Sequence, residues 1–147
     1  MPLAPPPRDP SGRVVPHDHP GILPVDGVIR RISHQQIIND QMRGCQRISS
    51  MAFKASTGNS GGMSIDLERE IEEAGLGPRV YVTTPRWIGS VRFLARELRG
   101  LGLIVGHHPL DSNPYHGEVW GAFSKLQQVG LRNACHWFVE IPGIAIL

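Results

Sequence analysis

Three features are scarce in this chain of 147 residues, and each absence excludes a class of protein. Its two cysteines, Cys45 and Cys135, lie far apart outside any CxxC pair, which excludes a small disulfide-rich framework; we expect both to be reduced thiols. The most apolar stretches, residues 100–106 and 137–147, are much shorter than the roughly 20 residues that cross a bilayer. The net charge of +2 is too small to indicate nucleic-acid binding by itself.

The start of the sequence also lacks the basic segment followed by an apolar segment that marks a secretory signal, so we expect a cytoplasmic protein. Residues 1–24 are instead rich in proline and contain few large apolar side chains. This composition favours extended, solvated backbone. We therefore expect a flexible arm over residues 1–24, suited to docking a protein partner, and one folded domain over residues 25–147.

Short apolar runs alternate with turn signals through the folded part of the chain, which predicts interleaved strands and helices. The predicted strands cover residues 28–32, 46–53, 63–65, 79–83, 101–105 and 118–123, with a last extended segment over 141–147. The predicted helices cover residues 34–42, 67–74 behind Asp66 as N-cap, 86–100 and 124–139. Because these elements lack the regular βαβ spacing of a doubly wound sheet, we predict a single-domain α+β fold. It should contain a mixed sheet of about five to six strands and about three to four helices.

The densest group of titratable side chains lies in residues 106–120, between two apolar runs. Two prolines disfavour a helix there, which predicts an ordered loop that presents polar side chains at strand ends. His116 and Glu118 are two residues apart, so they would point to the same side of a strand, an arrangement suited to an oriented general base. Asn113 and Pro114 are expected to form the turn that holds His116.

The same loop also offers ligands for a divalent metal ion, among them His107, His108 and Asp111. Neighbouring histidines at a strand end point to opposite faces, so only one of His107 and His108 could join His116. Residues 17–19, of sequence His-Asp-His, have ligand residue types as well, but a flexible arm leaves the coordination unfilled. We therefore predict no metal site and expect the loop histidines to form hydrogen bonds at the sheet edge.

Two further segments could in principle hold phosphate. Residues 56–62 have the composition of a phosphate-binding loop, but no Lys-Ser or Lys-Thr follows the glycines, which favours a plain connector. Arg92, Arg96 and Arg99 share one face of the predicted 86–100 helix, although arginines on an exposed face are more often solvated or paired with neighbouring glutamates. Neither segment is therefore predicted to be a binding site.

One weak order of residues is similar to that of a known enzyme class. An arginine on the first strand (Arg30 or Arg31), a serine near the second (Ser49 or Ser50) and Glu118 on a late strand resemble the Arg, Ser, Glu order of ADP-ribosyltransferases. The resemblance implies NAD as cofactor, with the arginine at its phosphates, the serine supporting the site and the glutamate orienting the ribose. A carboxylate beside a developing oxocarbenium charge would stabilise it. The aromatic residue on which NAD would stack has no evident counterpart here.

A second resemblance covers most of the chain. Residues 26–140 are similar to a family of small bacterial proteins of uncharacterised activity that carry RRI, SSxAFK, MSxD and NPxHxxV in this order. The corresponding segments here are residues 30–32, 49–54, 63–66 and 113–119. This resemblance implies no activity, and it favours His116 and Asn113 over Glu118 as the important loop residues.

Together these observations predict a functional surface made by the 107–118 loop and the first two strands. The residues assigned to catalysis are His116, Glu118 and Ser50, and those assigned to binding are Arg30, Arg31, Ser49, Lys54 and Asn113. Because no complete catalytic constellation is present, a binding or accessory module is the favoured function. The alternative is an enzyme acting on a nucleotide-like substrate, with NAD as cofactor if it is similar to the ADP-ribosyltransferases.

Overall fold

Residues 2–56 and 61–146, the part of the chain that this computed structural model describes, contain nine strands and four helices. The strands are β1 (Gly27–Ile32), β2 (Ile37–Asp40), β3 (Cys45–Ile48), β4 (Met63–Leu67), β5 (Gly89–Leu94), β6 (Ile104–His107), β7 (His116–Trp120), β8 (His136–Val139) and β9 (Ile144–Ala145). The helices are α1 (Glu68–Glu73), α2 (Pro78–Tyr81), α3 (Ala95–Gly100) and α4 (Lys125–Ala134). The predicted α+β class is confirmed. None of the described helices has the length and apolar character needed to cross a membrane.

The strands form two sheets. The larger has the order β6-β7-β4-β1-β5-β8 with antiparallel pairing throughout, and the smaller has the order β2-β3-β9, in which β3 and β9 are parallel. Alternation along the strands gives the large sheet one strongly apolar face. The buried residues of that face pack with residues of α3, α4 and the small sheet; they include Val28, Ile65, Val91, Phe93, Val105 and Val119.

The opposite face of the large sheet carries the polar residues. Asp66 on β4 is paired in register with His116 on β7, and Ser64 with Glu118, so these side chains share one face. Ile29 on the same face packs with Ile71 of α1 in a small second core. The two short helices α1 and α2 thus cover one part of this face and leave an open region beside Asp66 and His116.

Residues 2–24 contain no named helix or strand, but they contact the domain. Along the outer edge of β6, the His19 backbone N–H donates to the Val105 carbonyl at 2.8 Å, and the Val105 N–H donates to Asp18 Oδ1 at 3.0 Å. The His107 N–H donates to His17 Nε2 at 3.1 Å. This arrangement differs from the flexible arm that proline content predicts, because polar side chains of the arm satisfy backbone groups of an edge strand. A protein partner for the arm stays a prediction.

Several predicted elements are wrong where two periodicities compete. The predicted 34–42 helix is a single 3₁₀ turn followed by β2, although the Ser33–Gln36 capping box is present. The predicted 86–100 helix divides at Leu94 into β5 and α3, because the buried alternation of Val91 and Phe93 places them in the sheet core.

Other boundaries also differ. The predicted 79–83 strand is the short helix α2, which begins with Pro78 in its first turn. Asp66, predicted as an N-cap, lies within β4. The 46–53 strand ends at Ile48, and the final helix ends at Ala134, where β8 follows. The 56–62 connector lies partly outside the described residues, at positions 57–60.

Candidate functional site

Two adjoining cavities of about 480 and 690 Å³ lie beside the large sheet. The first is on its polar face, next to Asp66 and His116, and the second is next to residues 33–38 and 49–56. Both are lined by Arg30, Ser64 and Trp87, so we describe them together as the Arg30 groove. Each volume falls in the range of pockets that bind small molecules, roughly 300–1,000 Å³. The first cavity also contains His116, and the second also contains Lys54.

Asp66 organises the first cavity. Arg31 donates to its carboxylate twice, from Nε to Oδ2 at 2.8 Å and from Nη2 to Oδ1 at 3.0 Å. Asn113 Nδ2 donates to Oδ1 of the same carboxylate at 2.8 Å, and Tyr81 Oη donates to Asn113 Oδ1 at 2.7 Å. This network joins β1, β4, the loop before β7 and α2. Charge-assisted, bidentate bonds of this kind hold side chains in fixed orientations.

Arg30 is a buried cation with only 8% of its surface exposed. β1 and β4 are paired at only two positions, Val28 with Leu67 and Ile29 with Asp66, and the pairing ends there. Beyond that point the Arg30 guanidinium bonds the carbonyls of Ser64, at 2.8 Å, and Ala52, at 3.0 and 3.2 Å. Burial lowers the pKa of Arg30 to about 10, partly offset by the charge of Asp66, so the side chain is still protonated at neutral pH.

Aromatic side chains form part of the wall of the groove. Tyr81 contacts Tyr115 edge to face, with ring centroids 5.3 Å apart, and the Arg31 guanidinium lies 5.7 Å from the centre of the Tyr81 ring. Trp87 faces both cavities, and the Arg86 guanidinium lies 4.9 Å from the centre of its ring. These flat rings offer a planar ligand a surface for stacking beside the cations.

His116 is held in one tautomer. Its Nδ1 lies 2.7 Å from the carbonyl oxygen of His108, and because a carbonyl only accepts, this Nδ1 carries the proton. Within residues 2–56 and 61–146, Nε2 of the ring makes no hydrogen bond, and the ring lines the first cavity. Burial lowers the pKa of His116, against smaller opposing effects of the His108 carbonyl and Asp66. A neutral imidazole with one free acceptor nitrogen can accept a proton.

Glu118 lies on the same face of β7 but lines neither cavity. Its side chain is 1% exposed, its Oε2 has no hydrogen-bond partner among the described residues, and it lies 3.7 Å from Nδ1 of His108. Burial raises the pKa of Glu118 to about 7, and a hydrogen bond from the Gly62 backbone opposes the shift. The predicted alignment of His116 with Glu118 on one strand face is confirmed.

The structure brings most of the predicted site residues together. Arg30, Arg31, Asn113 and His116 line the first cavity, and Ser49 and Lys54 line the second together with Arg30. Ser50 and Glu118 are the exceptions.

The Ser50 hydroxyl, 2.9 Å from Lys125 Nζ on α4, accepts a hydrogen bond from it, and Ser50 lines neither cavity. The arrangement therefore does not bring the Arg, Ser and Glu of the ADP-ribosyltransferase order to one site.

Four charged or aromatic residues of the groove were not predicted from the sequence as site residues: Asp66, Tyr81, Arg86 and Trp87. Asp66 belongs to the MSxD segment, and its position directly after an alternating apolar run could have indicated a strand residue. Tyr81 and Trp87 flank a Thr-Thr-Pro turn, and large aromatic residues beside a turn are one signal of a binding surface.

Comparison of the chain with protein-family models, with curated proteins and with solved structures finds no match. The two resemblances drawn from the sequence therefore stay expectations. Among the described residues, no group of three or more His, Cys, Asp or Glu side chains is arranged to hold a metal ion.

Proposed function

We propose that the Arg30 groove binds a small anionic molecule. The observation that carries the proposal is the buried Arg30 guanidinium, which bonds two backbone carbonyls but forms no ion pair with a carboxylate among the described residues. Buried charges are normally paired, because an unpaired ion loses its hydration without compensation. Its nearest acid, Asp66, already accepts two bonds from Arg31 and one from Asn113. A bound anion would complete the charge balance.

The charge of the whole groove supports the same ligand class. Four cationic side chains line the two cavities, and Asp66 is the one carboxylate among the described lining residues; the cations are Arg30, Arg31, Lys54 and Arg86. A cleft in which one sign of charge predominates raises the local concentration of oppositely charged ligands. Planar guanidinium groups match carboxylate and phosphate geometry.

The position of Trp87 favours a nucleotide-like ligand as the more specific candidate. This ring faces both cavities, next to Arg30 in each, so a base could stack on it while a phosphate approaches the guanidinium. This agrees with the sequence-based alternative of a nucleotide-like substrate. It also gives the favoured binding role a chemical class of ligand.

Isothermal titration calorimetry with the full chain tests the proposal. The probes are inorganic phosphate, adenosine monophosphate, NAD and uncharged adenosine. We expect saturable binding of at least one anion, weakened at least tenfold in Arg30→Met, with adenosine alone binding more weakly than its monophosphate. The matched control is Arg96→Met, which removes an exposed arginine of α3 and should leave the affinity unchanged.

Loss of a buried arginine could also disturb the fold, so a second variant is needed. Lys54→Met removes an exposed cation from the second cavity and should weaken anion binding with the circular dichroism spectrum unchanged. Equal anion affinity in wild type, Arg30→Met and Lys54→Met would contradict the proposal, as would no binding of any anion by the wild type.

A further inference from the structure

We propose that His116 acts as a general base on the ligand of the Arg30 groove, and that His108 and Glu118 form with it a proton relay leading away from the cavity. The inference rests on the proposed anion binding and adds a reaction step to it. His116 and Glu118 come from β7 and His108 from the loop after β6, and the three side chains lie close together.

The relay is defined by three contacts. The His116 Nδ1–H points at His108, whose carbonyl oxygen lies at 2.7 Å and whose ring Nδ1 lies at 3.2 Å. The second distance is short enough for the same proton to be shared with the His108 ring. The same Nδ1 of His108 lies 3.7 Å from the unpartnered Oε2 of Glu118. A buried carboxyl oxygen without a hydrogen-bond partner calls for an explanation, and its position beside His108, which in turn contacts His116, supplies one.

The proton step is balanced within these groups. Nε2 of His116 forms a bond to a proton taken from an O–H of the ligand or of a water molecule beside it, and that O–H bond breaks. The His116 Nδ1–H bond then breaks as His108 Nδ1 gains the proton. The negative charge left on oxygen lies in a cavity with Arg30 and Arg31, and the positive charge on His108 faces the Glu118 carboxylate. His116 is the catalytic residue, and His108 and Glu118 are positioning residues.

The charges around the relay oppose the placing of a proton on His108. Burial lowers the pKa of His108 to about 4, and the nearby groups that act in the same direction are His116, Arg8 and His17 of the arm, and His107. His116 itself faces Asp66 and Arg31.

Among the residues that the structure describes, Glu118 is the carboxylate that lies within 4 Å of the His108 ring, at 3.7 Å from Nδ1, and it can stabilise the charge only when it is ionised. The relay should operate above about pH 7, where Glu118 loses its proton.

Long-range ¹H–¹⁵N correlation spectra of the full-length protein test the relay without a ligand. We expect His116 as the Nδ1–H tautomer, and an inflection near pH 7 in the ring ¹⁵N shifts of His108 and His116 as Glu118 ionises. Glu118→Gln should abolish that inflection, whereas the control Glu72→Gln, at an exposed position of α1, should retain it. His108→Gln interrupts the path by a second route and should remove the inflection from His116.

An Nε2–H tautomer of His116, or an inflection that persists in Glu118→Gln, would overturn the relay. The rate at which diethyl pyrocarbonate modifies His116 is a second measurement of the relay, because the reagent attacks a free neutral ring nitrogen. Its rate should rise through pH 7 in wild type and lose that rise in Glu118→Gln. Calorimetry with phosphate separates the two proposals: absent anion binding contradicts the proposed function, whereas anion binding with the wrong tautomer contradicts only the relay.

Discussion

Replacement of Asp66 by asparagine should destabilise the protein strongly, although the two side chains have almost the same shape. The Asp66 side chain is 4% exposed and that of its partner Arg31 is 21% exposed, so the variant leaves a largely buried guanidinium without its counter-ion. Removal of one partner from such a pair typically costs about 3–5 kcal/mol. Since the new amide keeps one oxygen to accept from Arg31, and Arg31 retains some contact with water, we expect about 3 kcal/mol.

Urea denaturation at pH 7, followed by circular dichroism, measures this loss. In a domain of this size, about 3 kcal/mol corresponds to a fall in Tm of roughly 6–12 °C. The matched control is Asp111→Asn, the same change at an exposed position of the neighbouring loop, which should alter the free energy of unfolding by less than about 0.5 kcal/mol. If Asp66→Asn and Asp111→Asn were equally stable, Asp66 would not organise the cavity as described.

Three further predictions concern stability. The raised pKa of Glu118 means that the folded state binds a proton more tightly than the unfolded state. The free energy of unfolding should therefore fall by about 3 kcal/mol as pH rises from about 4.5 to 7. Urea denaturation at pH 5 and pH 8 should show this loss in wild type but not in Glu118→Gln. Asp18→Ala removes the acceptor of the Val105 N–H and should therefore speed amide hydrogen exchange of Val105 about tenfold. Unchanged exchange would show that the arm does not protect β6. Leu98→Ala, at a fully buried position of α3, should cost about 2–5 kcal/mol in the same denaturation assay, and a smaller loss would contradict its place in the core.

The sequence was sufficient to predict the fold class and those strands whose residues follow only one clear pattern. β1 was predicted within one residue of its observed bounds because its apolar run is short and follows a turn signal. The predicted strands 101–105 and 118–123 overlap β6 and β7, but their ends are displaced by two to three residues. The helix predicted over residues 86–100 was wrong because the apolar positions there fit both the helical period and the alternating period of a strand. Only burial against the sheet distinguishes the two, and that is a tertiary effect.

Much of the candidate site could be predicted because its polar residues are concentrated in the sequence. Asn113 and His116 were identified from the polar loop and Arg31 through the two resemblances, and all three line the first cavity. Asp66 was missed because its role depends on the register of β4 against β7, which no local signal specifies. Ser50 was misplaced for a related reason: Ser49 and Ser50 are adjacent, and only the 3₁₀ turn decides which one faces the groove.

Binding of an anion at the buried Arg30 guanidinium can be observed at single residues in ¹H–¹⁵N spectra recorded during a phosphate titration. This binding should produce saturable shifts of the Arg30 Nε–H and Trp87 Nε1–H resonances, with no change at the exposed Arg96. Shifts confined to exposed arginines, or none at Arg30 up to high phosphate concentration, would contradict it.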